Sequence, residues 1–152
     1  MSMNMSEDEK HEFPRWEELY QEREIESMPW FNPELDDDLK NALDEIGLQR
    51  GSALDLGAGP GTQAMELARR GFTVTATDIS EAAVRLASEK AQKQGLEITW
   101  KHDDILDTRL DQQFDLIFDR GCFHVLAPER REDYVRIVSG LLKKCGYLFL
   151  KI

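Results

Sequence analysis

The segment from Asp55 to Gly61 reads Asp-Leu-Gly-Ala-Gly-Pro-Gly, which sets one carboxylate two residues ahead of a turn holding three glycines. A turn this rich in glycine lets main chain run close to a bound ligand, because glycine tolerates positive φ and has no Cβ to collide. A second carboxylate, Asp78, closes the β-like run 72–78, twenty-three positions after Asp55. An acid ending a neighbouring strand is placed to accept both hydroxyls of a ribose. Strand, glycine turn, helix and a second strand with a terminal acid make half of a nucleotide-binding α/β unit. The loop departs from the dinucleotide pattern G-x-G-x-x-G, whose third glycine falls on Thr62. A carboxylate at Asp55 also suits a ligand with a cationic end better than a pyrophosphate.

Periodicity shows which elements must carry these residues. Asn32 as cap and Pro33 in the first turn predict a helix start, with Leu35, Leu39, Leu43 and Ile46 as its apolar stripe and Gly47 as its stop. Residues 52–56 predict a first strand, 62–70 a helix stopped by Gly71, and 72–78 a second strand. Ser80 caps a helix carrying Val84, Ala87 and Ala91, which Gly95 closes. Residues 97–102 and 114–119 predict the third and fourth strands. Pro128 opens a long helix with Tyr134, Ile137, Val138, Leu141 and Leu142 on one face, stopped by Gly146, before a fifth strand over 147–152. Such alternation demands a parallel sheet with right-handed crossovers, an α/β fold.

The Asp55–Gly61 run resembles motif I of the class I S-adenosylmethionine-dependent methyltransferases, and Asp78 with Ile79 matches that family's second-strand acid. Asp104-Ile105 resembles the third-strand element, and Phe114 to Gly121, with Asp119 inside it, the fourth-strand motif. The resemblance spans roughly residues 50–152. The segment Asp119 to Leu126, with the Trp16/Tyr20 spacing, is most similar to the thiopurine and tellurite-resistance branch. The resemblance implies a Rossmann-like three-layer α/β/α sandwich with strand order 3-2-1-4-5. It also implies S-adenosylmethionine as cofactor, with S-adenosylhomocysteine as product. Asp55 and the fourth-strand end at Asp119 would face the amino group, and the backbone of Gly57, Ala58, Gly59 and Gly61 the methionine portion. Asp78 would take the ribose, Ile79 would pack on adenine, Asp104 would receive the adenine amino group, and the Ile105 backbone would pair with the ring. Trp16 and Tyr20 would close over the cofactor from an amino-terminal tail and cap, residues 1–31, ahead of a domain over 32–152.

Several of these assignments have competitors. Asp103 adjoins Asp104, and strand alternation puts one of the two in the pocket; Asp104 is chosen because Ile105 follows it. Asp119 can equally end a strand, and Trp16, Tyr20, Trp30 and Phe31 can pack a core. Cys122 and His124 lie where an acceptor would approach, yet a packing cysteine and a half-buried structural histidine are the simpler accounts. Methyl transfer from a sulfonium needs mainly proximity and alignment, so no catalytic side chain is named and no metal is expected. The expected acceptor is a small molecule with a sulfur, selenium, tellurium or oxygen nucleophile. A non-catalytic cofactor-binding module and a nicotinamide-dependent oxidoreductase remain the alternatives.

Composition narrows the setting. The net charge of −11 sits in the amino-terminal third: residues 1–50 carry 15 acids against 5 basic residues, residues 51–152 carry 15 against 14. No basic stripe of the kind phosphate backbones require is present, so nucleic acid is not an expected partner. No apolar run approaches a membrane span, and the start lacks a secretory h-region. Cys122 and Cys145 show no metal or redox spacing, which suits a reduced, cytoplasmic context. The resembled fold has seven strands in the order 3-2-1-4-5-7-6, whereas this sequence stops inside the fifth. The expectation is therefore a fragment lacking the carboxyl-terminal hairpin, its fifth strand an open edge for self-association.

Overall fold

The computed structural model describes residues 34–151. The expected tail and cap, with Trp16, Tyr20, Trp30 and Phe31, lie outside these residues, as does the helix start at Asn32–Pro33. Five strands, β1 (Gly51–Leu56), β2 (Phe72–Asp78), β3 (Ile98–His102), β4 (Phe114–Asp119) and β5 (Leu142–Leu150), form one parallel sheet in the order β3-β2-β1-β4-β5. Among the described residues four α-helices connect or precede them: α1 (Asp37–Ile46), α2 (Thr62–Arg69), α3 (Glu81–Lys93) and α4 (Arg131–Leu141). This is the expected fold and strand order.

Chain direction explains the layers. Running β1-α2-β2-α3-β3 outward with right-handed crossovers puts α2 and α3 on one face, and reversing direction at β4 puts α4 on the other. Leu39, Leu43, Ala64, Leu67, Val74 and Phe118 fill the first face. Leu54, Leu56, Ile117, Tyr134, Val138 and Leu141 fill the second. β1 is therefore buried on both sides from Ala53 to Leu56, as an inner parallel strand must be. The point where strand order reverses, between the carboxyl ends of β1 and β4, is where ligands bind in such sheets.

Three local expectations are corrected. Helix α1 takes its cap from Asp36, whose carboxylate accepts from the Leu39 amide at 3.1 Å; its end at Gly47, with φ 73°, is as expected. Pro128 opens only a 3₁₀ turn, Pro128–Arg130, ahead of α4. Gly146 does not stop that helix: α4 ends at Leu141, and β5 begins at once with a register shift opposite Phe114–Leu116. Gly146 belongs to this irregularity, since a Cβ there would sit 2.9 Å from the carbonyl oxygens of Lys143 and Phe114.

Asp36 also ties distant elements together. Lys151, just past β5, donates to Asp36 Oδ2 at 2.7 Å and to Asp38 at 2.9 Å. The Gln63 side chain, in the first turn of α2, accepts from the Asp36 amide at 2.7 Å and donates to the Glu34 carbonyl at 2.8 Å. Burial raises the Asp36 pKa, but the Lys151 and Leu39 hydrogen bonds outweigh it and leave the group below its ordinary 3.8. A lowered acid stabilises the fold above the unfolded value and loses that contribution as pH falls through the folded one. Asp36→Ala should cost about 1–2 kcal/mol of unfolding free energy at neutral pH, the scale of a lost N-cap. In urea titrations the deficit should shrink below pH 3.8; a deficit that is constant with pH would contradict the role.

Candidate cofactor site

Asp55 sits near the end of the central strand β1, opposite Ala76 of β2 and Phe118 of β4, and is 3% exposed. Its Oδ2 atom has no hydrogen-bond partner among the described residues. Burial pushes its pKa from 3.8 to about 7; Arg120 opposes this, while Asp78 and Asp119 add to it. The Ala64 amide hydrogen-bonds to the carboxyl group and lowers its pKa, but the unpartnered oxygen leaves a cost in free energy that a cation can recover.

The glycine turn lies directly above. The Ala58 amide donates to the Thr77 carbonyl at 2.8 Å and the Gly59 amide to Asp78 Oδ2 at 2.9 Å, which binds the loop to the end of β2. Gly57, with φ 71°, must be glycine twice over, because a Cβ there would lie 2.7 Å from Cys122 Sγ. Gly61 serves packing: a Cβ would meet Ala87 Cβ and Trp100 Cη2, each at 2.8 Å. α2 therefore starts hard against α3 and β3.

Asp78 is only partly buried. Its Oδ1 accepts from the Ser80 amide at 2.9 Å, and burial raises its pKa against the pull of the Ser80 and Gly59 amides. Ile79 beside it is 58% exposed, an apolar side chain presented outward at the strand end. At the end of β3 the two adjacent acids divide. Asp103 is consumed locally, accepting from the Thr108 hydroxyl at 2.6 Å and the Arg109 amide at 2.9 Å. Asp104 uses one oxygen to cap a 3₁₀ turn through the Leu106 amide at 3.0 Å and is exposed. The Ile105 side chain points into the core, so what it offers a ligand is backbone.

Asp119 has a different place from the other acids. It is fully buried, and its oxygens accept from the amides of Gly121 (3.0 Å), Cys122 (2.7 Å) and Phe123 (3.1 Å) and from the Tyr134 hydroxyl (2.5 Å). Its carboxylate thus folds the loop after β4 and fastens it to α4. Burial, with Asp119 beside it, pushes the Tyr134 phenol far above its usual range. Burial also pushes the Cys122 thiol well up, reinforced by Asp119, Asp78, Asp55 and Asp104. His124 lies exposed on the 3₁₀ turn Phe123–Val125.

The structure brings Asp55, the glycine turn, Asp78, Ile79 and Asp104 to the carboxyl end of the sheet. Sequence reasoning gave Tyr134 only a packing role and missed the Cys122 contact with Gly57. Nothing in a linear pattern signals that a helix tyrosine meets an acid fifteen residues earlier. A cleft of about 680 Å³ lies elsewhere, along α3 and β3 beside Phe72, Leu96 and Trp100, and none of these acids lines it. Among the described residues no group of side chains is arranged to hold a metal ion. Nor is any helix long and apolar enough to cross a membrane.

The chain belongs to a family of methyltransferase domains: the family's sequence profile, described as methyltransferase domain, matches residues 53–146. Human EEF1A lysine methyltransferase 2 is 35% identical over 109 residues, covering 65% of this chain and 46% of that protein. The 2-heptyl-1-hydroxyquinolin-4(1H)-one methyltransferase of Mycobacteroides abscessus is 35% identical over 111 residues, covering 71% and 49%. The chain thus spans about half the length of these relatives. A solved structure concerned with conversion of a disulfide bond into a thioacetal group in echinomycin biosynthesis superposes with TM-score 0.78 at 28% identity, over 89% of this chain and 57% of that one. Magnesium protoporphyrin IX methyltransferase from Synechocystis, solved with bound S-adenosylmethionine, does so with TM-score 0.66 at 25% identity, over 75% and 55%.

The raised Asp55 pKa has a direct consequence for stability. A raised acid stabilises the fold while neutral and loses that contribution as pH rises from 3.8 to about 7. Asp55→Asn should therefore melt higher than the parent above pH 7 in the absence of ligand, and the two should converge near pH 3.8. Parallel melting profiles across that range in differential scanning calorimetry would contradict a neutral, buried Asp55.

Proposed function

We propose that this chain binds S-adenosylmethionine and transfers its methyl group to a small-molecule nucleophile. The orphaned oxygen of buried Asp55, below a glycine turn and beside Asp78, carries this conclusion. A zwitterionic amino-acid end gives that carboxylate a cation, and a pyrophosphate would be repelled by it. Asp55 would face the ammonium, Gly57–Gly59 the methionine backbone, Asp78 the ribose hydroxyls, Ile79 one face of adenine, and Asp104 with the Ile105 backbone its edge. The cofactor supplies an activated methyl on a sulfonium, transferred by in-line displacement. The protein's part is alignment and exclusion of water, which supply much of the rate in such reactions.

Apart from the exposed His124, the side chains near the acceptor path offer no base, which favours an acceptor that arrives as a nucleophile in its own right. Tyr134 and Asp119 are locked to each other, and the Cys122 thiol is held protonated. None of these three is poised to take a proton. A thiolate, selenide or telluride needs no base, in keeping with the resemblance of the Asp119–Leu126 loop to the thiopurine and tellurite-resistance branch. The echinomycin structure, which concerns chemistry at sulfur, and the hydroxyquinolone relative support a small acceptor. The outer edge of β5, where Tyr147 is 45% and Leu148 38% exposed, supports self-association of the chain. Light scattering should show association that Leu148→Lys reverses; a monomeric parent would rule it out.

Calorimetric titration with S-adenosylhomocysteine should give a saturable isotherm. Asp78→Ala should weaken it by about 1–3 kcal/mol, the scale of a charge-assisted hydrogen bond. A folded parent that releases no heat and shows no thermal shift at millimolar ligand would defeat the assignment.

A further inference from the structure

His102 is the last residue of β3 and stands beside Asp78 in the parallel register. Its Nε2 lies 3.0 Å from the Ile79 carbonyl oxygen. A carbonyl only accepts, so Nε2 carries the hydrogen and fixes the tautomer. The same peptide unit, at its other end, donates the Ser80 N–H to Asp78 Oδ1 at 2.9 Å. One peptide plane is therefore pinned at both ends, by Asp78 and by His102. The rest of the turn is held by backbone, the Asp103 amide donating to the Asp78 carbonyl at 3.0 Å. Glu81 faces the far side of the imidazole, its carboxylate 3.9 Å from Nδ1, with both side chains more than half exposed.

The location of this bond decides what it is for. It lies at the surface, where water would satisfy the Ile79 carbonyl equally well, so folding gains little from it. Orientation is what it adds. Rotation of that plane would swing the Ser80 amide off Asp78 and turn Ile79 with it. Both Asp78 and Ile79 stand at the end of β2, where the proposed cofactor site takes the adenosine.

We propose that His102 is a positioning residue for adenosine recognition: it locks the Ile79–Ser80 peptide plane so that the Asp78 carboxylate meets the ribose and Ile79 lies against the base. This rests on the cofactor site proposed above. Three proteins test it, the parent, His102→Ala and His102→Gln, titrated calorimetrically with S-adenosylhomocysteine and with 5′-methylthioadenosine, which lacks the amino-acid end. His102→Ala should weaken both ligands by the same factor, about five- to tenfold, because binding must then order a peptide plane that the parent holds in place beforehand. His102→Gln keeps a donor for the carbonyl and should stay within about twofold of the parent on the same scale. An alanine variant that binds both ligands as tightly as the parent, whatever its melting temperature, overturns the role, and so does a glutamine variant no better than alanine. A loss confined to S-adenosylhomocysteine overturns it as well, because the effect would then lie at the amino-acid end. If the parent itself binds neither ligand, the cofactor site falls and this inference with it; if the parent binds and only the His102 pattern fails, the site stands alone.

Discussion

A carboxylate with an unpartnered oxygen, buried at the reversal point of a parallel sheet, is the constraint around which the rest is arranged. Asp55 cannot reach water, and nothing among the described residues donates to its Oδ2. In a fold built for stability alone an apolar residue would serve better, since burial here works against the charged acid and pushes its pKa up to about 7. The glycine turn follows directly after β1, and its backbone is tied to the end of β2 through Ala58 and Gly59. Gly57, Gly59 and Asp78 then follow as parts of one cradle.

The loop after β4 is built on the opposite logic. Asp119 is as buried as Asp55, but every lone-pair direction is answered by an amide or by the Tyr134 hydroxyl. Two acids on adjacent strands thus differ, one keeping an unpartnered oxygen and one spent on architecture. Their joint field, with Asp78 and Asp104, keeps the Cys122 thiol protonated against Gly57. A site so acidic favours a cationic cofactor and leaves nucleophilicity to the acceptor.

The fold was largely legible because its signals are local. The glycine turn, the Ser80 cap and the strand patterns in β1, β2 and β4 each state their own conformation, and crossover handedness then permits few topologies. The errors lie where a local signal competes with a tertiary one. Pro128 and Gly146 look like helix punctuation, yet packing of β5 beside β4 ends α4 early and absorbs Gly146 into an irregular strand pairing. Asp36 serves as the cap of α1, held in place by Lys151 and Gln63, both distant in sequence. In the site, the carboxylates could be read from spacing. The partners that separate their roles could not, since Tyr134 with Asp119, and Cys122 with Gly57, meet only in three dimensions.

The central claim is that Asp55 awaits a cation, and the pH dependence of binding tests it most directly. Ligation of the ammonium should hold Asp55 as a carboxylate, so binding below its apo pKa of about 7 must release a proton. The affinity for S-adenosylhomocysteine should rise as pH is raised from about 5.5 toward 7 and then level off, while that for 5′-methylthioadenosine, which has no ammonium, should show no such rise. Equal pH dependence for the two ligands, or none for either, would contradict the account.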